Sequence, residues 1–295
     1  RKRINRFNKN KNMKLIKYFI QFLIISILFF LFKVLGLKLS SRFSKNLFSL
    51  LGPFFRSKKI INENILKAFP NLKKNEINKI SKTMWENYGR ILSEYLFLNE
   101  FRLKDKIEIK GQEILDRIKK DNERVIFVSG HFSNFELMAM HIEKSGIDLA
   151  AIYRPLNNKF LNYFMEKIRK KHICKNQIKK GYTGTRQLLS LFKKGCSIAL
   201  MIDQRVSEGI KSRFFNHDAF TTTIPAQFVK KFECKVVPIY IERVDDIKFR
   251  LTVNAPINFS KNEKIDTITL KLNSLLEKMI LKNPGQWIWS HNRWK

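Results

Sequence analysis

Arg124–Gly146 reads RVIFVSGHFSNFELMAMHIEKSG and carries three kinds of sequence in a row. The apolar run Arg124–Val128 predicts a buried strand. Ser129-Gly130 predicts a turn, and Asn134–Lys144 has the apolar spacing of a helix. A strand, a tight turn and a helix form the unit from which open α/β sheets are built, and such sheets bind ligands at the carboxyl ends of their strands. His131 stands at that end, two residues past the glycine-preceding serine.

Two readings of Glu136 follow. Ser133 and Glu136 have the S-x-x-E spacing of a helix capping box, which is purely structural. His131 and Glu136 also form an H-x4-E pair, with the histidine on the turn. Residues five apart on one helix point about 140° apart, so this pair requires His131 to lie outside the helix. A cap at Ser133 would leave His131 on the turn and set Glu136 in the first helical turn, within reach of it. One carboxylate does not serve both partners at full strength. The residues alone leave cap and dyad open.

The alternation continues outward. Further strands are expected at Leu149–Tyr153, Ser197–Ile202, Val236–Glu242 and Phe249–Val253, and helices at Asn158–Lys171, Thr185–Lys194, Pro225–Phe232 and Ile265–Lys282. Short apolar strands between helices of this length predict an α/β fold with a largely parallel mixed sheet flanked by helices. Residues 60–101 read as two helices separated at Pro70. The expected organisation is a basic tail and anchor helix over 1–37, an amphipathic and helical extension over 38–104, and the α/β domain over 105–295.

Near the amino terminus, YFIQFLIISILFFLF (Tyr18–Phe32) carries no charge and is bracketed by Lys17 and Lys33. As helix it is about 23 Å long. A bilayer core is about 30 Å thick, so a span requires both lysines to snorkel. The following VLGLKLSSRFSK is basic and offers no small-residue cleavage site, which favours an uncleaved anchor over a signal peptide. Both flanks are basic, so charge does not set the orientation. Residues 38–59 mix Lys and Arg with LF, LFSLL and PFF, a pattern suited to lying on anionic headgroups.

The chain has 58 basic and 25 acidic residues, net +33. Polyanionic partners are expected: a membrane surface, a phosphorylated lipid, an acidic protein or nucleic acid. A Lys-, Asn-, Ile- and Phe-rich composition of the kind AT-rich genomes produce competes as the source of the lysines, but not of the scarcity of Asp and Glu. A basic non-enzymatic protein is a remote alternative, and no RNA- or DNA-binding module or basic-aromatic repeat supports it. Cys174, Cys196 and Cys234 form no CxxC and read as buried small hydrophobes, so neither a disulfide framework nor a thiolate metal site is expected.

Two more polar clusters follow expected strand ends. Tyr153-Arg154-Pro155 ends one strand, with Arg169 closing the next helix, and Asp203-Gln204-Arg205 ends SIALMI. Together with His131 they suggest a site combining a base, a carboxylate and cations.

GHFSNFE, then YRP, Arg169, IDQR, FF-x-x-x-A-x-TTT (Phe214–Thr223) and the terminal WIWSHNRWK, with MWENYGR (Met84–Arg90) upstream, resembles the bacterial lipid A biosynthesis acyltransferase family. The resemblance runs in order over most of residues 60–295. It implies a glycerolipid-acyltransferase-like fold and transfer of a fatty acyl chain from a thioester to a hydroxyl of a lipid A precursor. It implies His131 as general base and Glu136 as the carboxylate that orients it, with no acyl-enzyme. Arg154, Arg169 and Asp203 are the implied substrate-binding residues, with Asp203 orienting Arg169 or a sugar hydroxyl. Trp287, Trp289, His291 and Arg293 read as core or membrane-interface packing, or as lipid-binding residues.

The implied partners are acyl carrier protein, the lipid A precursor glycolipid and the membrane, with no nucleic acid, no metal and no cofactor beyond the acyl thioester. The implied location is the bacterial inner membrane, with the catalytic domain facing the cytoplasm. Another glycolipid or a lysophospholipid is the alternative acceptor, because the H-x4-acid core is shared among acceptors.

Overall fold

The computed structural model describes the backbone of residues 2–295 and the side chains of residues 13–295; most of the expected basic tail, residues 1–17, therefore lies outside the described side chains. The amino-terminal part is helical: α1 (Lys2–Leu51), α2 (Lys58–Ala68), α3 (Lys74–Glu94) and α4 (Leu98–Leu103). Then come β1 (Ile107–Lys110), α5 (Gln112–Lys120), β2 (Ile126–Ser129), α6 (Glu136–Lys144), β3 (Leu149–Tyr153), α7 (Lys159–His172), β4 (Asn176–Lys179), α8 (Tyr182–Lys193) and β5 (Ser197–Met201). The chain closes with β6 (Ile210–Phe214), β7 (His217–Thr221), α9 (Ile224–Phe232), β8 (Val236–Asp245), β9 (Lys248–Val253) and α10 (Ile265–Lys282).

Seven strands form one sheet in the order β1-β9-β8-β2-β5-β3-β4. All neighbouring pairs are parallel except β8 with β9, so the sheet is mixed and mostly parallel, as the strand–helix alternation predicts. β6 and β7 form a separate antiparallel hairpin that packs on α10. β2 lies at the centre and is buried along its whole length, which is why its sequence is continuously apolar rather than alternating. Its immediate neighbours β5 and β8 come from much later in the chain; β5 ends level with β2, at the crevice where such sheets hold ligands, while β8 runs on past it.

β1 and β4 were not expected from the sequence. Both are four-residue edge strands, IEIK and NQIK, with only partial burial and no apolar run to signal them. The hairpin β6–β7 also went unread, because charged Lys211, Arg213 and Asp218 occupy its exposed face.

The helical extension and the sheet domain share one core. Trp85, Tyr95, Phe97 and Phe101 are buried together with the strands and with Trp287 and Trp289. Gly36 (φ 72°, ψ 172°) interrupts α1, in a backbone conformation that glycine adopts without Cβ strain. Beyond that break α1 packs closely along α3. A Cβ on Gly89 of α3 would sit 2.1 Å from the Ser44 carbonyl oxygen, and the Ser44 hydroxyl donates to the Gly89 carbonyl at 2.6 Å. Glycine at position 89 in MWENYGR is thus required by helix–helix approach.

A buried polar network ties the same helices to the β8–β9 turn. Arg243 donates to both oxygens of Glu94, at 2.6 and 3.0 Å. Ser41 donates to Glu94 at 3.1 Å, and Arg90 bonds Asp246 at 3.0 Å. Arg42 also pairs with Asp246. Glu94 is fully buried, and these donors surround its carboxylate oxygens.

Candidate active site

The register of the two central strands builds the site. Ser129 of β2 pairs with Met201 of β5 in parallel, and the Ile202 N–H donates to the Ser129 carbonyl at 2.9 Å. His131 and Asp203 lie two residues beyond those partners, so strand register sets them abreast. Gly130 leaves room for this: a Cβ there would come within 3.2 Å of the Asp203 side chain.

The contact is double. Asp203 Oδ1 lies 2.8 Å from His131 Nδ1, and Oδ2 accepts the His131 backbone N–H at 2.8 Å. Oδ2 also accepts the Trp287 indole N–H at 2.8 Å. Asp203 is fully buried, whereas the His131 side chain retains 21% of its exposure. Burial pushes the Asp203 pKa up, but the charge and hydrogen bonds of His131 prevail, so it lies below the ordinary carboxylate value. Burial pulls His131 down, and the Asp203 charge and hydrogen bond more than offset this, leaving it above the ordinary imidazole value.

An ionised Asp203 accepts the Nδ1 proton and so fixes the tautomer, which makes Nε2 the basic nitrogen. Among the described residues Nε2 has no hydrogen bond. The ring rests edge-on against Phe135, with centroids 4.8 Å apart. His131 lines a narrow cleft together with Tyr88, Ile91, Phe135, Gln286 and Trp287.

Glu136 serves a second cluster. Arg169 reaches it through Nη2 at 2.8 Å and Nε at 3.0 Å, and the Tyr95 hydroxyl donates to the same carboxylate oxygen. Arg169 Nε also donates to the Tyr95 oxygen at 2.8 Å. Burial first, and then the Glu136 charge, holds Tyr95 well above the ordinary phenol range, so it remains a donor. The Arg169 guanidinium lies over the Tyr153 ring, 5.3 Å from its centroid. Its Nη1 is buried and has no hydrogen-bond partner among the described residues.

The structure therefore exchanges two expected pairings. Glu136 was expected to orient His131, and Asp203 to orient Arg169 or a sugar hydroxyl. Instead Asp203 holds the imidazole and Glu136 holds Arg169. The expected cap at Ser133 is also absent. Ser133 has φ 44°, its hydroxyl is buried without a partner, and its N–H donates to the Gln286 carbonyl at 2.8 Å. The helix instead opens at Glu136, through Leu137 N–H to Asn134 O and Met138 N–H to Phe135 O. A tertiary hydrogen bond outcompetes the local cap, and with it goes the geometry that would have turned Glu136 back to His131.

Arg154 is exposed at the end of β3 and makes no hydrogen bond or ion pair among the described residues, so the structure does not bring it into either cluster. His291 accepts the Arg205 backbone N–H at 3.1 Å, and burial lowers its pKa. Arg293 is fully buried and donates to Thr221 Oγ1 at 2.6 Å and the Phe220 carbonyl at 2.7 Å, a packing role that ties the carboxyl terminus to β7.

Two site residues escaped the sequence reading. Tyr95 stands 41 positions from Glu136 in an apolar helical run, with no local signal. Trp287 was read as packing or lipid contact. It does pack edge-on against Trp289 at 4.6 Å, and it also holds Asp203. Asn134 is fully buried and donates to Glu94 at 2.9 Å, so the loop carrying His131 is fastened to the network that grips α1.

The site is thus a histidine–carboxylate pair at adjoining strand ends of a mostly parallel sheet, behind an apolar amino-terminal helix. The chain belongs to the bacterial lipid A biosynthesis acyltransferase family, whose model matches residues 6–295. It is 23% identical over 251 residues to the lipid A biosynthesis palmitoleoyltransferase of Escherichia coli (strain K12), covering 82% of this chain and 80% of that protein. It is 24% identical over 249 residues to the lipid A biosynthesis lauroyltransferase of the same strain, covering 81% and 79%. The lipid A biosynthesis acyltransferase of Haemophilus influenzae is 24% identical over 259 residues, covering 84% and 81%. Among solved structures, the 1-acyl-sn-glycerophosphate acyltransferase of Thermotoga maritima aligns with a TM-score of 0.39 at 11% identity, over 89% of this chain and 97% of that one.

Proposed function

We propose that the protein transfers a fatty acyl chain from the thioester of an acyl carrier protein to a hydroxyl of a lipid A precursor, with His131 as general base. The observation that carries the mechanism is the Asp203–His131 pair at 2.8 Å, which holds the imidazole with Nε2 free. The acceptor hydroxyl gives its proton to Nε2 as its oxygen attacks the thioester carbonyl carbon. The resulting imidazolium is stabilised by Asp203, as in carboxylate–histidine pairs generally. The tetrahedral intermediate then collapses, expelling the carrier thiolate, which takes the proton from His131. The products are an ester and a free thiol, with no covalent enzyme intermediate and no cofactor.

Arg169 is the cation of this site. Glu136 and Tyr95 fix it, and its unpartnered Nη1 suits a phosphate oxygen or the developing oxyanion. The net charge of +33 favours three anionic partners at once: the acidic carrier, the phosphorylated acceptor and the inner-membrane headgroups. The apolar helix α1 anchors the enzyme, with the catalytic domain on the cytoplasmic side, where acyl carrier protein is found.

Incubating purified enzyme with acyl carrier protein thioester and a tetraacylated lipid A precursor should yield a product heavier by one acyl chain. His131→Ala should not form it. Full activity in that variant would sink the mechanism. An unchanged lipid A mass spectrum after deletion of the gene would overturn the acceptor assignment.

A further inference from the structure

The apolar run of α1 is long enough to cross a bilayer by length and composition. Its packing points elsewhere. One stripe of it, including Tyr18, Phe22, Ile25, Phe29 and Phe32, is partly or wholly covered. Much of the cover is α7: Phe160 meets Phe19 and Phe22 with centroids 5.7 Å apart in both pairs, and Phe164 meets Phe29 at 5.8 Å. The buried Asn158 amide, capping α7, donates to the Tyr18 carbonyl at 2.8 Å. At the other end of the run, Lys33 donates to the Leu96 carbonyl at 2.7 Å and lies over the Phe97 ring. The α/β domain and the helical extension packed on it thus hold the two ends of the apolar run.

A helix perpendicular to the bilayer with Lys33 at one interface would place Tyr18 about 22 Å deeper, at 1.5 Å per residue. That is well past the middle of a hydrocarbon layer of about 30 Å. The start of α7, with exposed Asn157 and Lys159, would be carried to the same depth. Polar and charged groups are strongly disfavoured there. A helix lying along the surface keeps both ends and α7 at one level and incurs no such cost.

The exposed face agrees. Ile20, Leu23, Ile27, Phe30 and Val34 form an open apolar row on α1. Around the start of α7, Leu156 and Phe164 are also exposed, and Tyr163 is 64% exposed with the Lys167 ammonium 4.7 Å above its ring. An apolar surface bordered by aromatic and lysine side chains is the composition of the membrane interface.

Building on the membrane anchoring proposed above, we infer that α1 does not cross the bilayer. It lies within one leaflet with the first turns of α7 immersed beside it, and both ends of its apolar run stay on the side of the catalytic domain. Arg169, near the far end of α7, then stands where a lipid acceptor arrives laterally from that leaflet.

The test uses full-length Met13→Cys/Leu270→Cys enzyme in a Cys234→Ala background; Cys174 and Cys196 are buried. It is reconstituted into sealed vesicles of anionic phospholipid, treated with a membrane-impermeant maleimide, and each molecule's labels are counted by mass spectrometry. An in-plane α1 gives molecules with two labels or none, whatever their orientation. A spanning α1 gives one label per molecule and overturns the inference. Enzyme that fails to stay with the vesicles refutes the anchoring itself, which is a separate result. Tyr163→Trp in vesicles of brominated lipid checks α7: quenching above that of Leu270→Trp supports immersion, and equal quenching overturns it. Concentration-dependent dimerisation with an unquenched Tyr163→Trp would assign the patch to a second copy instead.

Discussion

Asp203 holds His131 at two points, accepting the backbone N–H through one oxygen and facing Nδ1 with the other, both at 2.8 Å. The imidazole is fixed in position and in tautomer by one carboxylate. Asp203→Asn keeps the shape but presents an amide that cannot stabilise the imidazolium. Acyl transfer should fall roughly 10³–10⁴-fold, the loss seen when such a carboxylate is neutralised. Steady-state kinetics should place the loss in kcat.

The same pair sets the pH response. In the proposed mechanism His131 acts neutral, and its pKa lies above the ordinary 6.5. Activity should therefore rise with pH through that raised value, so the acid limb of kcat/KM lies above 6.5. In Asp203→Asn the residual activity should show the limb displaced toward lower pH. The linkage to stability has the matching signs. The raised His131 contributes stability that is full below its unfolded pKa and is lost as pH rises through its folded one. The depressed Asp203 contributes stability above its unfolded value of 3.8, lost as pH falls through its folded value. Melting temperatures of wild type and His131→Ala should therefore differ most between those limits.

Glu136→Ala should behave differently from Asp203→Asn. It strands Arg169 beside Tyr95, and removing one partner of a buried ion pair costs about 3–5 kcal/mol. Thermal unfolding should show that loss. The acid limb of the surviving activity should stay near its wild-type position, since Asp203 still holds His131. A limb displaced as far as in Asp203→Asn would mean that Glu136 acts on the histidine directly.

Trp287→Phe keeps the ring against Trp289 and Phe214 and deletes the indole N–H. Hydrogen bonds to charged groups contribute about 1.5–3 kcal/mol. We expect kcat to fall by about one to two orders of magnitude while circular dichroism and KM change little.

Gly89→Ala tests the grip on α1. The added carbon meets the Ser44 carbonyl at 2.1 Å, so the two helices must part. The Ser41–Glu94–Asn134 chain of hydrogen bonds loosens with them. Protease cleavage between residues 36 and 57 should accelerate, and activity should drop although no site residue has changed.

Much of this protein is written locally. β2, β3, β5, α7 and α10 fall within one or two residues of where their apolar spacing puts them, because burial on both faces demands an unbroken apolar run and burial on one helical face demands a 3.6-residue period. The ordered motifs from MWENYGR to WIWSHNRWK named the family, and the uncharged run Tyr18–Phe32 named an apolar helix. His131, Glu136, Arg169 and Asp203 were all chosen from sequence, and all four lie in the two clusters.

Their pairing was not legible. GHFSNFE reads as a cap that turns Glu136 toward His131, because S-x-x-E is a local code. The fold overrides it: Ser133 is drawn to the Gln286 carbonyl, and parallel register brings Asp203 from 72 residues away to the imidazole. The sequence by itself determined which segments become strands and helices and which polar residues stand at the ends of the central strands. Only the tertiary structure decided which carboxylate serves which cation, because that depends on contacts between segments whose separation along the chain leaves no periodic trace.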